Sequence, residues 1–215
     1  ATTAHNVAVG ANAGVSVTTG IQNTFIGGLA GDAFTDADFN VAVGHGTLTS
    51  DTLGSRSVAV GYTALLNQNF TSATDTYNTA VGFSAGESVT TGVQNTFIGG
   101  LAGDATDDGT NNVAVGFEAL SANCGSGNTT VGTRAGKATT GDNNTFIGEN
   151  SGLVNTSGSS NAAVGQDSLK ANTTGTTNVA VGRRALEDNT TASNAVAIGY
   201  AALRNNTTGE SNVAI

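Results

Sequence analysis

Several residue types are missing or scarce, and each scarcity removes a class of protein. The 215-residue chain has no proline, methionine or tryptophan, and aromatic residues make up only 5 % of it. That excludes a large aromatic-rich core. Charged residues are 11 %, whereas a disordered chain would be charge-rich and poor in β-branched residues. No run approaches the roughly 20 apolar residues of a membrane helix, so membrane insertion is not expected. A single cysteine, Cys124, rules out an intrachain disulfide. No Cys/His/Asp arrangement makes it a nucleophile, and it is read as a buried or idle thiol. Neither an initiator Met nor a secretory signal opens the sequence at Ala1. The last residues, Asn212 to Ile215, stop one short of the glycine that closes the other units. Both ends are read as cuts in a longer protein.

Basic residues are also few, 7 against 16 acidic ones, for a net charge of −9. Residues 1–120 hold ten acids and one base, Arg56, while residues 121–215 hold six of each. Phosphate binding needs a basic footprint, so nucleic acid is not an expected partner.

What is present is a repeat. Marker glycines fall at Gly10, Gly27, Gly44, Gly61, Gly82, Gly99, Gly116, Gly132, Gly148, Gly165, Gly182 and Gly199. Their spacing is 16 or 17 residues, apart from one interval of 21. Val or Ile precedes every one. Two residues before the glycine stands Ala, replaced by Phe25, Phe97, Phe146 or Thr130. Four before it is Asn in all but two units, whose exceptions are Ser57 and Ala195. A longer repeat overlies this one: SVTTGIQNTFIGGLAGDA at Ser16–Ala33 returns, with one change, at Ser88–Ala105, 72 residues on. Residues 1–215 therefore form one repetitive segment, with super-repeats 10–81 and 82–153 and a variant coil at 62–82.

Asn-Val-Ala-Val-Gly reads as a short strand of period 2. Thr/Asn/Gly-rich turns separate the strands. Seventeen residues with no 3.6-residue period cannot make a helix pair, so the unit is one coil of an all-β parallel β-solenoid, about 12 coils long. The Val/Ile column is expected to form the continuous core. The Ala/Phe column, on the opposite strand face, is expected to need a partner chain, which a bundle of three chains around one axis would supply. Asn6, Asn23, Asn40, Asn78, Asn95, Asn112, Asn128, Asn144, Asn161 and Asn178 are assigned to a structural amide ladder that satisfies turn backbone groups.

Candidate sites are fewer. Asp32, Asp36 and Asp38 share one turn, and Asp104, Asp107 and Asp108 the equivalent turn 72 residues on. Clustered carboxylates can hold Ca²⁺, but no calcium-loop pattern is matched, and solvated acidic turns are the preferred reading. No other cofactor is expected. His5 and His45 lack metal-ligand spacing. No Ser/His/Asp set, catalytic carboxylate pair or HExxH motif is found, so the chain is not expected to be an enzyme. Asn172, Asn189 and Asn206 fit the glycosylation pattern formally. The 21-residue interval carries NQNFTSATDTY, Asn67–Tyr77, and its Phe70, Asp75 and Tyr77 are the candidate recognition residues, because extra aromatics on a loop of a rigid scaffold suit binding.

NVAVG, NTFIG and AVAIG followed by xxA(G/L) resemble the head repeats of trimeric autotransporter adhesins. ALxxNTTGxxNxAVG, at Leu169–Leu186 and from Leu203 on, resembles repeats of phage tail fibres. The resemblance covers essentially the whole chain. It implies a left-handed β-roll-like solenoid, a homotrimer, an extracellular setting on a virion or bacterial surface, and a cell-surface glycan or protein receptor. The reading adopted is a tail-fibre-like segment presenting an adhesive surface. The alternatives are a bacterial adhesin head, or an extracellular filament subunit with no receptor of its own.

Overall fold

The computed structural model describes residues 4–215. It falls into two compact units that divide between Asn111 and Asn112, and no described residue is helical. Each unit is a parallel β-solenoid, and together they make about 12 turns.

In the first unit the strands are β1 (Val7–Val9), β2 (Thr24–Ile26), β3 (Val41–Val43), β4 (Gly54–Ser55), β5 (Val58–Val60), β6 (Thr74–Asp75), β7 (Thr79–Val81) and β8 (Thr96–Ile98). Strands β1, β2, β3, β5, β7 and β8 pair in parallel, each with the next coil's equivalent. The short strands β4 and β6 form a separate parallel pair. The second unit holds β9 (Val113–Val115), β10 (Thr129–Val131), β11 (Thr145–Ile147), β12 (Ala162–Val164), β13 (Val179–Val181), β14 (Val196–Ile198) and β15 (Val213–Ala214), also paired in parallel. Register follows the marker glycines even where spacing changes. Val58 pairs with Thr79 across the 21-residue coil, and Val113 with Thr129 across a 16-residue one. Insertions and deletions are absorbed in the turns between the strands.

The marker glycine ends each strand for two reasons. Its φ lies between +122° and +145°, a region open essentially to glycine. It also touches the next coil. A Cβ on Gly44, Gly61 or Gly82 would stand 2.0, 2.2 or 2.4 Å from the following marker glycine's carbonyl oxygen.

The distribution of side chains about the strand reverses the sequence-based expectation. The middle residue points inward: Ala42, Ala59, Ala80 and Ala114 are fully buried, as are Phe25, Phe97 and Phe146. The Val/Ile column before the glycine points outward. Val9, Ile26, Val81, Ile98, Val131, Ile147, Val164, Val181 and Ile198 are 36–59 % exposed. The inward position thus takes Ala, Thr130 or Phe, and the Val and Ile side chains are turned out.

The coil interior also compensates volume. Where the inward residue is Ala, the residue four after the glycine is often Leu, and Leu48, Leu65, Leu120, Leu169 and Leu186 are fully buried. Where it is Phe, that position is glycine. A Cβ on Gly31 would lie 2.4 Å from the Phe25 ring, one on Gly103 2.5 Å from Phe97, and one on Gly152 2.7 Å from Phe146. Ala/Leu and Phe/Gly are two fillings of one space.

Two outcomes are expected. Gly61→Ala should destabilise by more than about 3 kcal/mol, since it combines backbone strain with a clash against fixed backbone. Gly46→Ala should cost only about 1–2 kcal/mol, because its φ of +67° is strained but its nearest contacts are 3.6 Å away. Thermal unfolding of the two variants compares them. In a double-mutant cycle, Phe97→Ala should cost about 3–5 kcal/mol and Gly103→Leu should also destabilise. The double variant should recover most of the loss by reproducing the Ala59/Leu65 filling, and simple additivity would contradict shared volume.

Candidate functional site

Each of the ten ladder asparagines stands immediately before a strand. The amide works in two directions. Asn23 Nδ2 donates to the Ala37 carbonyl at 2.7 Å, and Asn23 Oδ1 accepts the Asn40 backbone N–H at 2.8 Å. Asn6, Asn40 and Asn78 reach Gly20, Gly54 and Gly92 in the same way, and Asn95 reaches Gly109. In the second unit Asn112, Asn128, Asn144, Asn161 and Asn178 repeat the contact to a turn carbonyl. The exceptions hold register through their backbone: Ser57 N–H donates to Asn40 Oδ1, and Ala195 N–H to Asn178 Oδ1. A buried polar group left without such partners costs about 1–3 kcal/mol, so the ladder fixes both the turn and the coil spacing.

A second amide column joins coils of the second unit. Asn172 Nδ2 donates to Asn155 Oδ1 at 2.6 Å, and Asn189 Nδ2 to Asn172 Oδ1 at 2.8 Å. Asn172 and Asn189 are fully buried, so these formal glycosylation acceptors are closed to a glycan in the folded chain. Asn206 is partly buried and bonds the Gly209 carbonyl. The threonine turns are likewise columns. Thr156, Thr173 and Thr190 hydroxyls each donate to the carbonyl one coil on. The signal was present in the sequence as Asn-Thr-Thr recurring at the coil period.

The six acidic candidates do not converge on one point. Asp32 Oδ1 accepts from Thr49 Oγ1 at 2.7 Å, Asp36 Oδ1 from Thr19 Oγ1 at 2.5 Å, and Asp38 Oδ1 from the Ile21 N–H at 2.7 Å. Asp107 accepts from the Thr90 hydroxyl. Asp104 is half-buried and Asp108 exposed. Among the described residues no group of three or more His, Cys, Asp or Glu side chains is placed to hold a metal ion. His5 is exposed, and His45 stacks on Tyr62, which stacks on Phe83, with centroids 5.7 and 5.4 Å apart. Cys124 is buried.

In the second unit the bases are tied up. Glu118 holds Arg134 and Lys137 at 3.0 and 2.8 Å, and the Lys137 hydrogen bond is the main reason its carboxyl lies below the ordinary value. Asp167 pairs with Lys170, and Glu187 with Arg184 and Arg204. Arg183 lies over the Tyr200 ring at 6.0 Å.

The enlarged coil divides the three recognition candidates. Phe70 is buried and its N–H donates to Asp51, so its ring packs inside the coil instead of standing on a loop. Asp75 and Tyr77 are outside. Asp75 pairs with Arg56, and the Arg56 guanidinium sits 4.9 Å from the Phe39 ring centroid and 6.0 Å from that of Tyr77. Strand pairing of β4 with β6 holds Arg56 and Asp75 in adjacent rows.

Beneath lies a buried polar network. Ser57 replaces the ladder amide, and Gln68 fills the gap: its Nε2 donates to Ser57 Oγ at 2.9 Å and to Asp51 Oδ2 at 2.6 Å, and its Oε1 accepts from Asn78 at 2.8 Å. Asp51 also accepts the Gly54 N–H at 3.0 Å. Burial dominates and raises the Asp51 carboxyl above its ordinary value, against these donors.

The described residues enclose no pocket. No protein-family model matches this chain, nor does any curated protein or any solved structure.

Asp51 gives a pH signature. A carboxyl raised in the folded state binds its proton more tightly there than in the unfolded chain, so stability falls as pH rises from about 3.8 through the folded value. Asp51→Asn removes this dependence and leaves a constant offset from the altered bond to Gln68. The melting temperature of the variant minus that of the native chain should therefore be more positive at pH 7 than at pH 3.5. Equal differences would show that Asp51 titrates normally.

Proposed function

We propose that this chain is a structural fibre segment that assembles side by side with copies of itself and presents an adhesive surface, in the manner of a phage tail fibre. The observation that carries the reading is the outward Val/Ile column. The branched side chain before the marker glycine is exposed in nine coils and half-buried in the other three, at Val43, Val60 and Val115, on a regular scaffold whose own interior is already filled. Soluble monomers seldom expose contiguous apolar stripes without a partner. The column repeats at the coil spacing, about 4.8 Å, so an identical, parallel chain matches it in register. Closed cyclic symmetry satisfies such a surface, and a threefold arrangement agrees with the trimeric proteins whose repeats these resemble. The partner-covered face is thus the Val/Ile column and not the Ala/Phe column.

Several features support a scaffold over a catalyst. Most polar interior groups are engaged in ladders, the described residues enclose no pocket, and the bases of the second unit are held by carboxylates or lie over an aromatic ring. The excess of acidic over basic residues disfavours nucleic acid as a partner. An extracellular place, on a virion or a bacterial surface, follows from this reading.

Sedimentation velocity tests the assembly. The native chain should sediment as a trimer. Val60→Asp with Val81→Asp should shift it to monomer while the far-UV circular dichroism stays that of β-structure. A native monomer would overturn the proposal.

A further inference from the structure

The surface of the enlarged coil carries a cluster unlike the rest of the first unit. Phe39, Arg56 and Tyr77 occupy equivalent positions in successive coils, each immediately before the ladder position, with φ of +61°, +64° and +51°. Phe39 is 41 % exposed and Tyr77 53 %. Arg56 is the one basic residue among the first 120, and it lies between those two rings and against Asp75. The side chains of Arg56 and Asp75 are 39 % and 50 % exposed. An exposed ion pair contributes little to stability, so stability alone gives no reason for this arrangement. Yet four residues beyond the regular coil, and an extra strand pair found nowhere else among the described residues, hold it in place.

We propose that Arg56, Asp75 and Tyr77, flanked by Phe39, form a shallow binding site for a neutral saccharide. The inference rests on the adhesive part of the function proposed above and names the chemistry of the ligand. Its parts suit a sugar ring. Asp75 offers acceptor oxygens and Arg56 planar N–H donors, which together can hold two neighbouring hydroxyls of a polyol. Tyr77 supplies a stiff aromatic surface for the apolar C–H face, at low entropic cost on binding. Charge selects among sugars. Asp75 already neutralises Arg56, and the surrounding region carries ten acids against this one base, so anionic saccharides are repelled. A cationic ligand would bring its charge up against the Arg56 guanidinium, which lies beside both rings. A flat site agrees with the absence of a pocket, because a sugar ring can be held on one face.

A printed array of neutral, sialylated, sulfated and amino-sugar glycans, probed with the whole chain, tests this. Neutral glycans should be retained. In titration with the best neutral oligosaccharide, Asp75→Asn and Tyr77→Ala should each weaken binding about tenfold or more. Tyr200→Ala, an exposed aromatic elsewhere, should leave it unchanged. Melting curves of each variant confirm that loss of binding is not loss of fold. No retention of neutral glycans, retention confined to anionic ones, or binding indifferent to both substitutions would overturn the site. Sedimentation of the same samples separates this from the fibre proposal. A trimer that binds no neutral glycan removes the saccharide site and leaves the fibre. A monomer that binds one does the reverse.

Discussion

Backbone contact between successive marker glycines is the constraint on which the other features depend. Where Gly44 meets Gly61, and Gly61 meets Gly82, the backbones are too close for any Cβ. The strand therefore ends there in every coil, in a conformation that other residues avoid. Equivalent residues then fall directly above one another, and every other ladder becomes possible. The asparagine amides can bridge coils because their spacing is already set. The threonine hydroxyls and the second amide column use the same alignment.

Given that alignment, the narrow coil decides what faces inward. Ala, Thr130, or Phe balanced by glycine fills the inward strand position, and the branched Val and Ile side chains are turned outward. The chain is left with a filled interior and an apolar exterior stripe. That combination links packing to function: a coil complete inside and incomplete outside is suited to lateral assembly. Hydrophobic burial between chains would then add to a structure whose internal cohesion is largely hydrogen-bonded.

The enlarged coil shows how such a scaffold accommodates an exception. Loss of the ladder amide at Ser57 is made good by Gln68, and the buried Asp51 ties the two coils together through Phe70 and Gly54. Inside, the insertion restores continuity. Outside, it adds the β4–β6 pair and sets a charged and aromatic cluster on an otherwise acidic surface. Scaffold and candidate site are two faces of one local rearrangement.

The sequence by itself determined the coil. Marker glycines, the asparagine position and the 16-, 17- and 21-residue intervals are local signals, and each reports a local backbone requirement. They were legible because glycine at positive φ and a turn-capping amide have few substitutes. The direction of the strand faces was not legible, since Val-Ala-Val alternates between two apolar residue types and periodicity cannot say which is inside. Interior volume decided it, and that exists only once the coils close. Likewise Asn67–Tyr77 was visible as an irregular loop, but not that Gln68 and Phe70 turn inward. Nor did sequence place Arg56 between Phe39 and Tyr77, residues 17 and 21 positions away in the chain. Stacking made them neighbours, and only the tertiary structure could do so.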